Sequence, residues 1–513
     1  MTTAAPEAAV PHRAAITVCV MLATIMQALD TTIANVALPY MQGSLSATQD
    51  QINWVLTSYI VAAAIMTPPT GWLAARFGRK NYFLACVAGF TTASVLCGIA
   101  ASLEQMVLFR LLQGVCGAAL VPLSQSVLLD IYPRERHGSA MAIWGVGVMV
   151  GPILGPTLGG WLTEYYNWRW VFYINLPVGI LTFLGLSHFF SAAAPQRDGG
   201  FDWFGFAMLS VAIGALQMML DRGQNLDWFS STEVVAEAVL CGLAFYMFLV
   251  HMFTAKKPFI EPAMFIDRNF TIGLLLIFVV GVILLGSLAL LTPYLQNLMD
   301  YPVLTAGLVL APRGVGTMVA MMLVGRLITR IDARLMIALG ICLLGLSLYE
   351  MAGYTPDVSQ FNLVWVGIVQ GLGLGFVFVP LSTVTFATLA PLFRVQGTSL
   401  FSLMRNIGSS IGISLMIYFL SYNGQILHAE LGAHITPFND LLRQPGIASI
   451  WNMATVGGRA ALDAEINRQG SIIAYANDFR LMMYLVLVTL PLVALLRRSG
   501  APSGGHAAAA ALD

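Results

Sequence analysis

The chain of 513 residues is 58% hydrophobic and only 10% charged, and its mean hydropathy is +0.78. This composition is too apolar for a water-soluble globule and predicts an all-α membrane protein with lipid as its solvent. The formal net charge is zero, and there is no basic patch with interleaved aromatic residues. Nucleic acid is therefore not expected as a partner.

The sequence carries no signature of a cofactor or a metal. Its seven histidines are scattered without metal-ligand spacing, and all six cysteines fall in apolar runs, so neither a metal site nor a disulfide framework is predicted. None of the three lysines follows a glycine, which excludes a Walker A loop for ATP. No nucleophile–base pair is evident, and we do not expect an enzyme.

Apolar stretches of about 20 residues, the length that crosses a bilayer, recur between short polar breaks. We predict fourteen transmembrane helices, at residues 16–38, 53–74, 81–102, 106–129, 138–162, 169–190, 203–221, 233–254, 270–292, 303–325, 335–354, 361–386, 398–420 and 481–496. With both termini in the cytoplasm, 16 of the 25 basic residues face the cytoplasm, and the short outer loops hold only Arg169 and Arg222. That asymmetry is the one expected of a multi-pass inner-membrane protein.

Two motifs repeat in the same order along the chain. Gln113-Gly114 precedes the string VPLS at 121–124, and Gln370-Gly371 precedes the same string at 379–382. The loop GWLAARFGRK from Gly71 is matched by GRLITRIDAR from Gly325. Internally repeated halves around a midplane site are typical of secondary transporters that alternate access.

The repeat predicts two six-helix bundles with two further helices between them. The expected divisions are an N-terminal tail at 1–15, the first bundle at 16–190, inserted helices and linkers at 191–269, the second bundle at 270–498 and a disordered tail at 499–513. Within the second bundle, residues 421–480 are predicted to form a long periplasmic loop.

Asp30 is the one acidic residue predicted near the centre of a span, about fifteen residues into the first helix. An ionised side chain at mid-bilayer costs several kcal/mol, so such residues are functional candidates. We expect Asp30 to load and release a proton. The alternative is a carboxylate that only hydrogen-bonds its surroundings. Gln27 lies one turn earlier on the same helix face.

Arg110 in the fourth predicted helix is the expected counter-charge of Asp30. With Gln113 three residues later it forms a polar stripe that must face the bundle interior rather than lipid. The alternative is a purely architectural role for the arginine. Arg313 and Arg405 are weaker candidates from the second half.

The fifth helix and the loop after the second helix carry glycine patterns. In the fifth helix, glycines at every fourth position let the backbones of two helices approach closely, and two prolines among them permit bending. We therefore expect a packing surface that slides during alternating access. Ordinary helix packing is the alternative. The residues are Gly147, Gly151, Pro152, Gly155, Pro156 and Gly159.

In the loop after the second helix, we expect two glycines and two arginines to hold one conformational state by capping helix ends. These residues are Gly71, Arg76, Gly78 and Arg79. The alternative for the arginines is positive-inside topology alone.

The cargo cavity is harder to predict, because aromatic residues in membrane helices usually face lipid or the core. Apolar walls with a few polar groups would suit a small-molecule site. The candidates are Gln27, Trp54, Tyr59, Gln113, Trp144, Tyr173, Asn175, Phe376, Phe378 and Phe401.

Five strings resemble, in order, the signatures of the major facilitator superfamily, and most closely its fourteen-helix drug:proton antiporters of the EmrB/QacA type. They are LDTTIANVALPYM from Leu29, GWLAARFGRK from Gly71, LFRLLQGVCGAALVPLSQS from Leu108, GVGVMVGPILGPTLGGWL from Gly145 and WRWVFYINLPVG from Trp168. The resemblance implies the major facilitator fold with two extra central helices, and a role for Arg110 in proton exchange. Where the family loop usually carries an acid, this chain has Ala75.

The resemblance implies a proton-coupled antiporter that exports lipophilic small molecules across the inner membrane. Relatives of the EmrB kind pair with a periplasmic adaptor and an outer-membrane channel, and the loop 421–480 is then either a docking surface or a solvated cap. The alternative functions are uptake or facilitation of a specific metabolite, and a receptor or scaffold that does not transport.

Overall fold

The structure, a computed structural model, describes residues 11–191, 200–436 and 451–497, and every regular element in these ranges is a helix. The predicted tail at 499–513, most of the tail at 1–15 and most of the linker after residue 190 lie outside the described residues.

The described part of the first bundle contains ten α-helical segments. They are α1 (Arg13–Ser44), α2 (Gln49–Ile52), α3 (Trp54–Met66), α4 (Thr70–Phe77), α5 (Arg79–Ile99), α6 (Leu103–Gly117), α7 (Leu120–Ile131), α8 (His137–Tyr165), α9 (Trp170–Tyr173) and α10 (Asn175–Phe189). The inserted helices are α11 (Trp203–Arg222) and α12 (Thr232–Thr254).

The second bundle follows after residue 267. Its helices are α13 (Arg268–Pro293), which continues as a π-helical turn (Tyr294–Leu298), α14 (Val303–Leu327), α15 (Ala333–Met351), α16 (Gln360–Ala387), α17 (Arg394–Ala433), α18 (Val456–Leu487) and α19 (Leu490–Leu495).

Thirteen helices or joined helix pairs of the described chain are long and apolar enough to cross a membrane. The remaining predicted span, 53–74, is divided into α3, with 13 residues, and α4. The division falls at Pro68 and Pro69, because a proline has no backbone N–H to continue a helix ladder. Pro122 stands just after the break between α6 and α7, two segments that together make one span. The count of fourteen spans stays a prediction.

The expected loop at 421–480 is shorter than predicted. Helix α17 continues to Ala433 and α18 begins at Val456, so both helices extend far into this stretch. Hydropathy falls after Leu420, and a prediction based on apolar length ends the helix there. A polar sequence nevertheless remains helical when a neighbouring helix supports it, and α17 and α18 pack against each other.

The two bundles meet along α8 and α14, and α17 of the second bundle contacts α4 and α7 of the first. Trp144 on α8 stacks on Phe378 of α16 across this boundary, with ring centroids 5.6 Å apart. The inserted helices are central in the sequence but peripheral in space. Helix α11 packs on α3 and α17, whereas α12 packs mainly on α11 and leaves most of its surface exposed.

Candidate functional site

Asp30 and Arg110 form an ion pair inside the first bundle. Arg110 Nη1 donates to Asp30 Oδ2 at 2.7 Å, and both side chains are completely buried. Asp30 comes from the middle of α1 and Arg110 from α6, 80 residues later. The two residues singled out in the sequence therefore lie in direct contact. Breaking a buried pair by removing one partner costs about 3–5 kcal/mol, so each charge depends on the other.

The second oxygen of Asp30 is also fully occupied. Asp30 Oδ1 accepts from Gln113 Nε2 at 2.8 Å and from Asn175 Nδ2 at 3.0 Å. Asn175 lies 3.0 Å from Ser94 Oγ, which in turn donates to the carbonyl of Phe172 at 2.8 Å. Three donors thus converge on one carboxylate, and both of its oxygens accept hydrogen bonds.

Arg110 is held on several sides. Its Nε donates to the carbonyl oxygen of Val55 at 3.0 Å, its Nη1 donates to Gln113 Oε1 at 2.8 Å, and its guanidinium lies 4.3 Å from the ring centre of Tyr59. Gln27 Nε2 donates to the Tyr59 hydroxyl at 3.1 Å. Arg110 Nη2 is buried without a hydrogen-bond partner among the described residues. The arginine is consequently positioned by groups that do not depend on the charge of Asp30.

The glycine stripe of α8 packs directly against the part of α1 that carries Asp30. A Cβ atom added to Gly151 would lie 2.3 Å from the carbonyl oxygen of Ala28, and one added to Gly155 would lie 2.1 Å from Thr32 Oγ1. Thr32 Oγ1 also donates to the carbonyl of Gly151 at 2.9 Å. The predicted close packing is present; sliding along it stays a prediction.

The remaining residues of this pattern fit the same surface. A Cβ atom added to Gly147 would lie 2.1 Å from Met21 Cε of α1. A Cβ atom added to Gly159 would lie 3.0 Å from Ile33 Cγ1 of the same helix. Pro152 is half-buried in the same helix, and the side chain of Pro156 lies outside the described residues.

One carboxylate joins the two bundles at the end where Arg79 and Arg394 lie, which is called the basic end below. Asp130, near the end of α7, accepts from Arg79 at the start of α5, and its Oδ1 accepts from Arg394 Nη1 of α17 at 2.6 Å. These three residues are called the basic-end latch. Nearby, Ser139 Oγ of α8 donates to the carbonyl of Gly325 of α14 at 3.0 Å. The two bundles are thus in direct contact at the basic end, and a form with these contacts is called the closed form below.

Two glycines at and after α4 are required by the local backbone and by close packing. Gly78 has φ 81°, a left-handed backbone conformation that strains other residues, and Gly71 lies where an added Cβ would come within 3.1 Å of Gln396 on α17. Arg76 is in the last turn of α4, where a positive charge complements the helix dipole. Arg79 pairs with the carboxylate of Asp130, the penultimate residue of α7, and its predicted capping role stays a prediction.

The residues predicted to line the cargo cavity lie in several different parts of the structure. Gln27, Tyr59, Gln113 and Asn175 belong to the Asp30 network described above, and Trp144 with Phe378 lies at the bundle boundary. The others pack elsewhere: Trp54 lines a cavity of about 320 Å³ near Asp221, Tyr173 packs against Gly98, Phe401 against Phe386, and Phe376 against the surrounding core. They do not form one cavity.

Sequence reasoning missed a second buried acid, Asp478. Asp478 lies in α18 and is 1% exposed, and its one hydrogen bond from another described residue comes from Asn423 at 3.4 Å. The predicted spans placed Asp478 in the loop before residue 481, and the structure places it within α18 instead. The polar residues around Asp478 moved the predicted start of the last span to residue 481. Asp130 was also missed, although an acid between two arginine-rich loops is a usable signal.

Comparison with known proteins identifies the family. The sequence profile of the Major Facilitator Superfamily matches residues 20–413. The fatty acid resistance protein FarB of Neisseria gonorrhoeae is 35% identical over 500 residues, which cover 96% of this chain and 97% of FarB. The multidrug export protein EmrB of Escherichia coli (strain K12) is 34% identical over 501 residues, with 96% and 97% coverage.

Solved structures share the fold at low sequence identity. The human organic anion transporter MFSD10 (TETRAN) matches with a TM-score of 0.57 and 15% identity, covering 93% of this chain and all of that chain. A bacterial homologue of the human lysosomal transporter Spinster, in an inward-facing unoccupied conformation, matches with a TM-score of 0.54, 20% identity and coverage of 96% and 99%. The chain belongs to the major facilitator superfamily, and it is a multi-pass membrane transport protein rather than an enzyme.

Proposed function

We propose that this protein exports lipophilic small molecules across the inner membrane in exchange for protons, and that Asp30 carries the proton. The relatives named above for multidrug export and fatty acid resistance support export, since each aligns over nearly the whole chain. The observation that carries the proton assignment is the completely buried pair of Asp30 and Arg110. A charged pair in the membrane interior is costly to build, and a transport role accounts for its presence.

Protonation changes the hydrogen bonds around Asp30 in a specific way. A neutral carboxyl group has an O–H donor and fewer acceptor sites, so it cannot accept from Arg110, Gln113 and Asn175 equally well. Arg110 keeps its bonds to Val55 and Gln113 and its contact with Tyr59, and it stays in place without its counter-ion. The exchange of one proton therefore loosens α1 from α6 and α10 without displacing the arginine.

The glycine stripe transmits this change to the other bundle. Helix α1 touches α8 at Gly151 and Gly155, close to Asp30, and α8 packs on α14 of the second bundle. Backbones in direct contact cannot move independently, because no side chain between them absorbs the displacement. A shift of α1 thus biases the boundary between the two halves.

Alternating access requires the basic-end latch to open and close. In the closed form Asp130 holds Arg79 and Arg394, one from each bundle. With a membrane potential of 100 mV, each entering proton supplies about 2.3 kcal/mol. That energy is comparable with the loss of a few partly exposed ion pairs, each worth about 0.2–1 kcal/mol.

A periplasmic adaptor and an outer-membrane channel are proposed as partners. The supporting feature is the extension of α17 and α18 beyond the apolar core, which presents a helical projection on the side opposite to the latch. On this side, Arg468 and Glu465 form an exposed pair on α18. Uptake of a metabolite is the alternative function, and it predicts transport in the opposite direction.

The test uses purified protein in liposomes, with dodecanoate and the neutral dye N-phenylnaphthylamine as probes. An imposed pH gradient should accelerate accumulation of at least one probe by the wild type, whereas Asp30→Asn should bind that probe but show no acceleration. A variant at the other buried acid, Asp478→Asn, is the control and should remain coupled. Unchanged coupling in Asp30→Asn would reject the assignment of the proton to this residue.

A further inference from the structure

Arg313 is a buried cation without a carboxylate. The residue is 7% exposed, its Nη2 donates to the carbonyl oxygen of Leu284 at 3.0 Å, and its Nη1 is buried without a hydrogen-bond partner in the described part of the chain. Neither Arg313 nor Arg405 takes part in an ion pair of the described residues. The sequences of α13, α14 and α16, which surround Arg313, contain no aspartate or glutamate.

The internal repeat relates the position of Arg313 in the second half to that of Arg110 in the first. Gln370 occupies the place in the second half that Gln113 occupies in the first. Three residues before Gln113 stands Arg110, whereas three residues before Gln370 stands Gly367. A Cβ atom added to Gly367 would lie 3.7 Å from the Cβ of Arg313. The arginine of the second half therefore comes from α14, beside the position from which Arg110 projects in the first half.

The backbone contact between the two helices is very close at this point. A Cβ atom added to Gly371 would lie 2.0 Å from the carbonyl oxygen of Arg313, so α14 and α16 touch without an intervening side chain. Gln370 lies in the turn of α16 between these two glycines. Its side chain is completely buried, and neither its Nε2 nor its Oε1 has a hydrogen-bond partner among the described residues.

The second half thus repeats an arginine and an amide but not the carboxylate. In the first half, Asp30 accepts from both Arg110 and Gln113. Arg313 and Gln370 lie on two helices in direct backbone contact, and the sequences of α13, α14 and α16 offer them no acidic residue. A buried donor without a partner costs about 1–3 kcal/mol, and more when it is charged, so this arrangement favours an external anion.

Arg405 packs against the same segment of α13 through its backbone. Its Nη1 is also buried without a partner among the described residues, and its carbonyl oxygen lies 2.2 Å from where a Cβ of Gly281 would be. Gly281 is one turn from Leu284 on α13, the residue that Arg313 contacts. The two arginines therefore border one segment of α13.

We propose that Arg313 and Gln370 bind an anionic group of the cargo, at the place where the first half has its own carboxylate. This proposal rests on the export function proposed above and names the cargo class, which is lipophilic molecules with one carboxylate or similar anion. A guanidinium suits this role because its N–H groups bind a carboxylate with two parallel hydrogen bonds. The apolar residues that dominate α13, α14 and α16 accommodate the tail of such a molecule.

The test measures equilibrium binding of radiolabelled dodecanoate to the purified full-length protein in detergent, at about pH 8 where the fatty acid is ionised. Dodecanol and tetraphenylphosphonium serve as neutral and cationic probes. Arg313→Gln should weaken dodecanoate binding by roughly tenfold or more, the loss expected for a charged hydrogen bond, and leave dodecanol binding unchanged. Arg313→Lys should retain most of the preference for dodecanoate over dodecanol, because it keeps the charge.

Arg169→Gln is the matched control, because Arg169 lies in the first half and donates to the carbonyl of Ala100 at 3.2 Å. It should bind dodecanoate as the wild type does. The proposal is overturned if Arg313→Gln binds dodecanoate normally, if dodecanol binding falls equally, or if nitrate displaces dodecanoate and dodecanol with equal effect. If Asp30→Asn keeps transport driven by the pH gradient while Arg313→Gln loses the preference for dodecanoate, the result counts against the proposed function and not against this site.

Discussion

Arg394 Nη1 lies 2.6 Å from Asp130 Oδ1 and thereby joins the start of α17 in the second bundle to the end of α7 in the first. The same carboxylate accepts from Arg79, so one acid collects an arginine from each half. The segment before Arg79 has Ala75 where the family resemblance implies an acid, and the acid that pairs with Arg79 is Asp130 of α7. This latch closes the basic end of the molecule.

Replacing Asp130 by Asn should open the basic end more often. Its side chain is 24% exposed, and the pairs it forms are each worth about 0.2–1 kcal/mol, so we expect a shift of roughly threefold to tenfold rather than complete opening. The measurement is the rate of maleimide labelling of Ser139→Cys, next to the bundle boundary, in a background without the six native cysteines. Glu233→Gln, which removes the ion pair with Arg222 away from the latch, is the control and should not change that rate. Equal labelling in all variants would contradict the latch.

Gly151→Ala should destabilise the protein, because the new Cβ would lie 2.3 Å from the carbonyl oxygen of Ala28. Overpacking of this kind costs about 1–3 kcal/mol. Gly160 lies on the same helix with nothing within 4 Å of an added Cβ, so Gly160→Ala should change stability by less than about 0.5 kcal/mol. Thermal unfolding in detergent compares the two variants. Gly151→Leu should also block transport; full activity in that variant would reduce the stripe to passive packing.

Asp202, which lies outside the membrane spans, should contribute to the stability of the fold in a pH-dependent way. Burial alone would raise the pKa of this carboxyl, but hydrogen bonds from the backbone N–H groups of Gly205 and Phe259 and from His251 outweigh it and hold the pKa below its usual value of 3.8. A lowered pKa in the folded state stabilises the fold above the usual value, and this stabilisation is lost as the pH falls through the lower one.

The comparison is between the wild type and Asp202→Asn, with unfolding followed from neutral pH to about pH 3. The wild type should be more stable above about pH 4 and should lose this advantage below it. A constant difference between the two proteins over the whole range would show that the charge of Asp202 contributes nothing.

Removing the charge of Asp478 and removing the counter-charge of Asp30 should change the stability of the protein by different amounts. Asp478 takes part in no ion pair of the described residues, so Asp478→Asn leaves no charge unpaired and should change stability by less than about 1 kcal/mol. Arg110→Met leaves Asp30 without its counter-charge and should cost about 3–5 kcal/mol. Denaturant or thermal unfolding of both variants tests the contrast. A large loss in Asp478→Asn would mean that a charged partner of Asp478 exists in the protein.

The pairing of Asp30 with Arg110 was predictable from the sequence because a membrane interior leaves few choices. A carboxylate and a guanidinium that are each isolated in an apolar span must find polar partners, and the opposite charges satisfy one another at lowest cost. The glycine stripe was predictable for a similar reason, since a strict spacing of four leaves one smooth helix face. What faces it, the turn of α1 around Ala28 and Thr32, required the structure.

Contacts between distant residues were beyond sequence reasoning. Asp130 and Arg394 are 264 residues apart, and no local pattern links them. Asp478 was missed for a different reason, because the hydropathy criterion places the end of a helix where the sequence becomes polar. Helix α18 begins 25 residues before the predicted span at 481, supported by packing against α17 rather than by its own apolar length.

The central claim is that Asp30 gains and loses a proton inside the bundle. Infrared difference spectroscopy of the lipid-reconstituted protein, compared with Asp30→Asn, measures this directly through the C=O stretch of a protonated carboxyl group. Acidification should produce a band in the wild type that is missing in Asp30→Asn and present in Asp478→Asn, and addition of dodecanoate should change its intensity. An Asp30 that remains a carboxylate at every pH at which the protein transports would contradict the account.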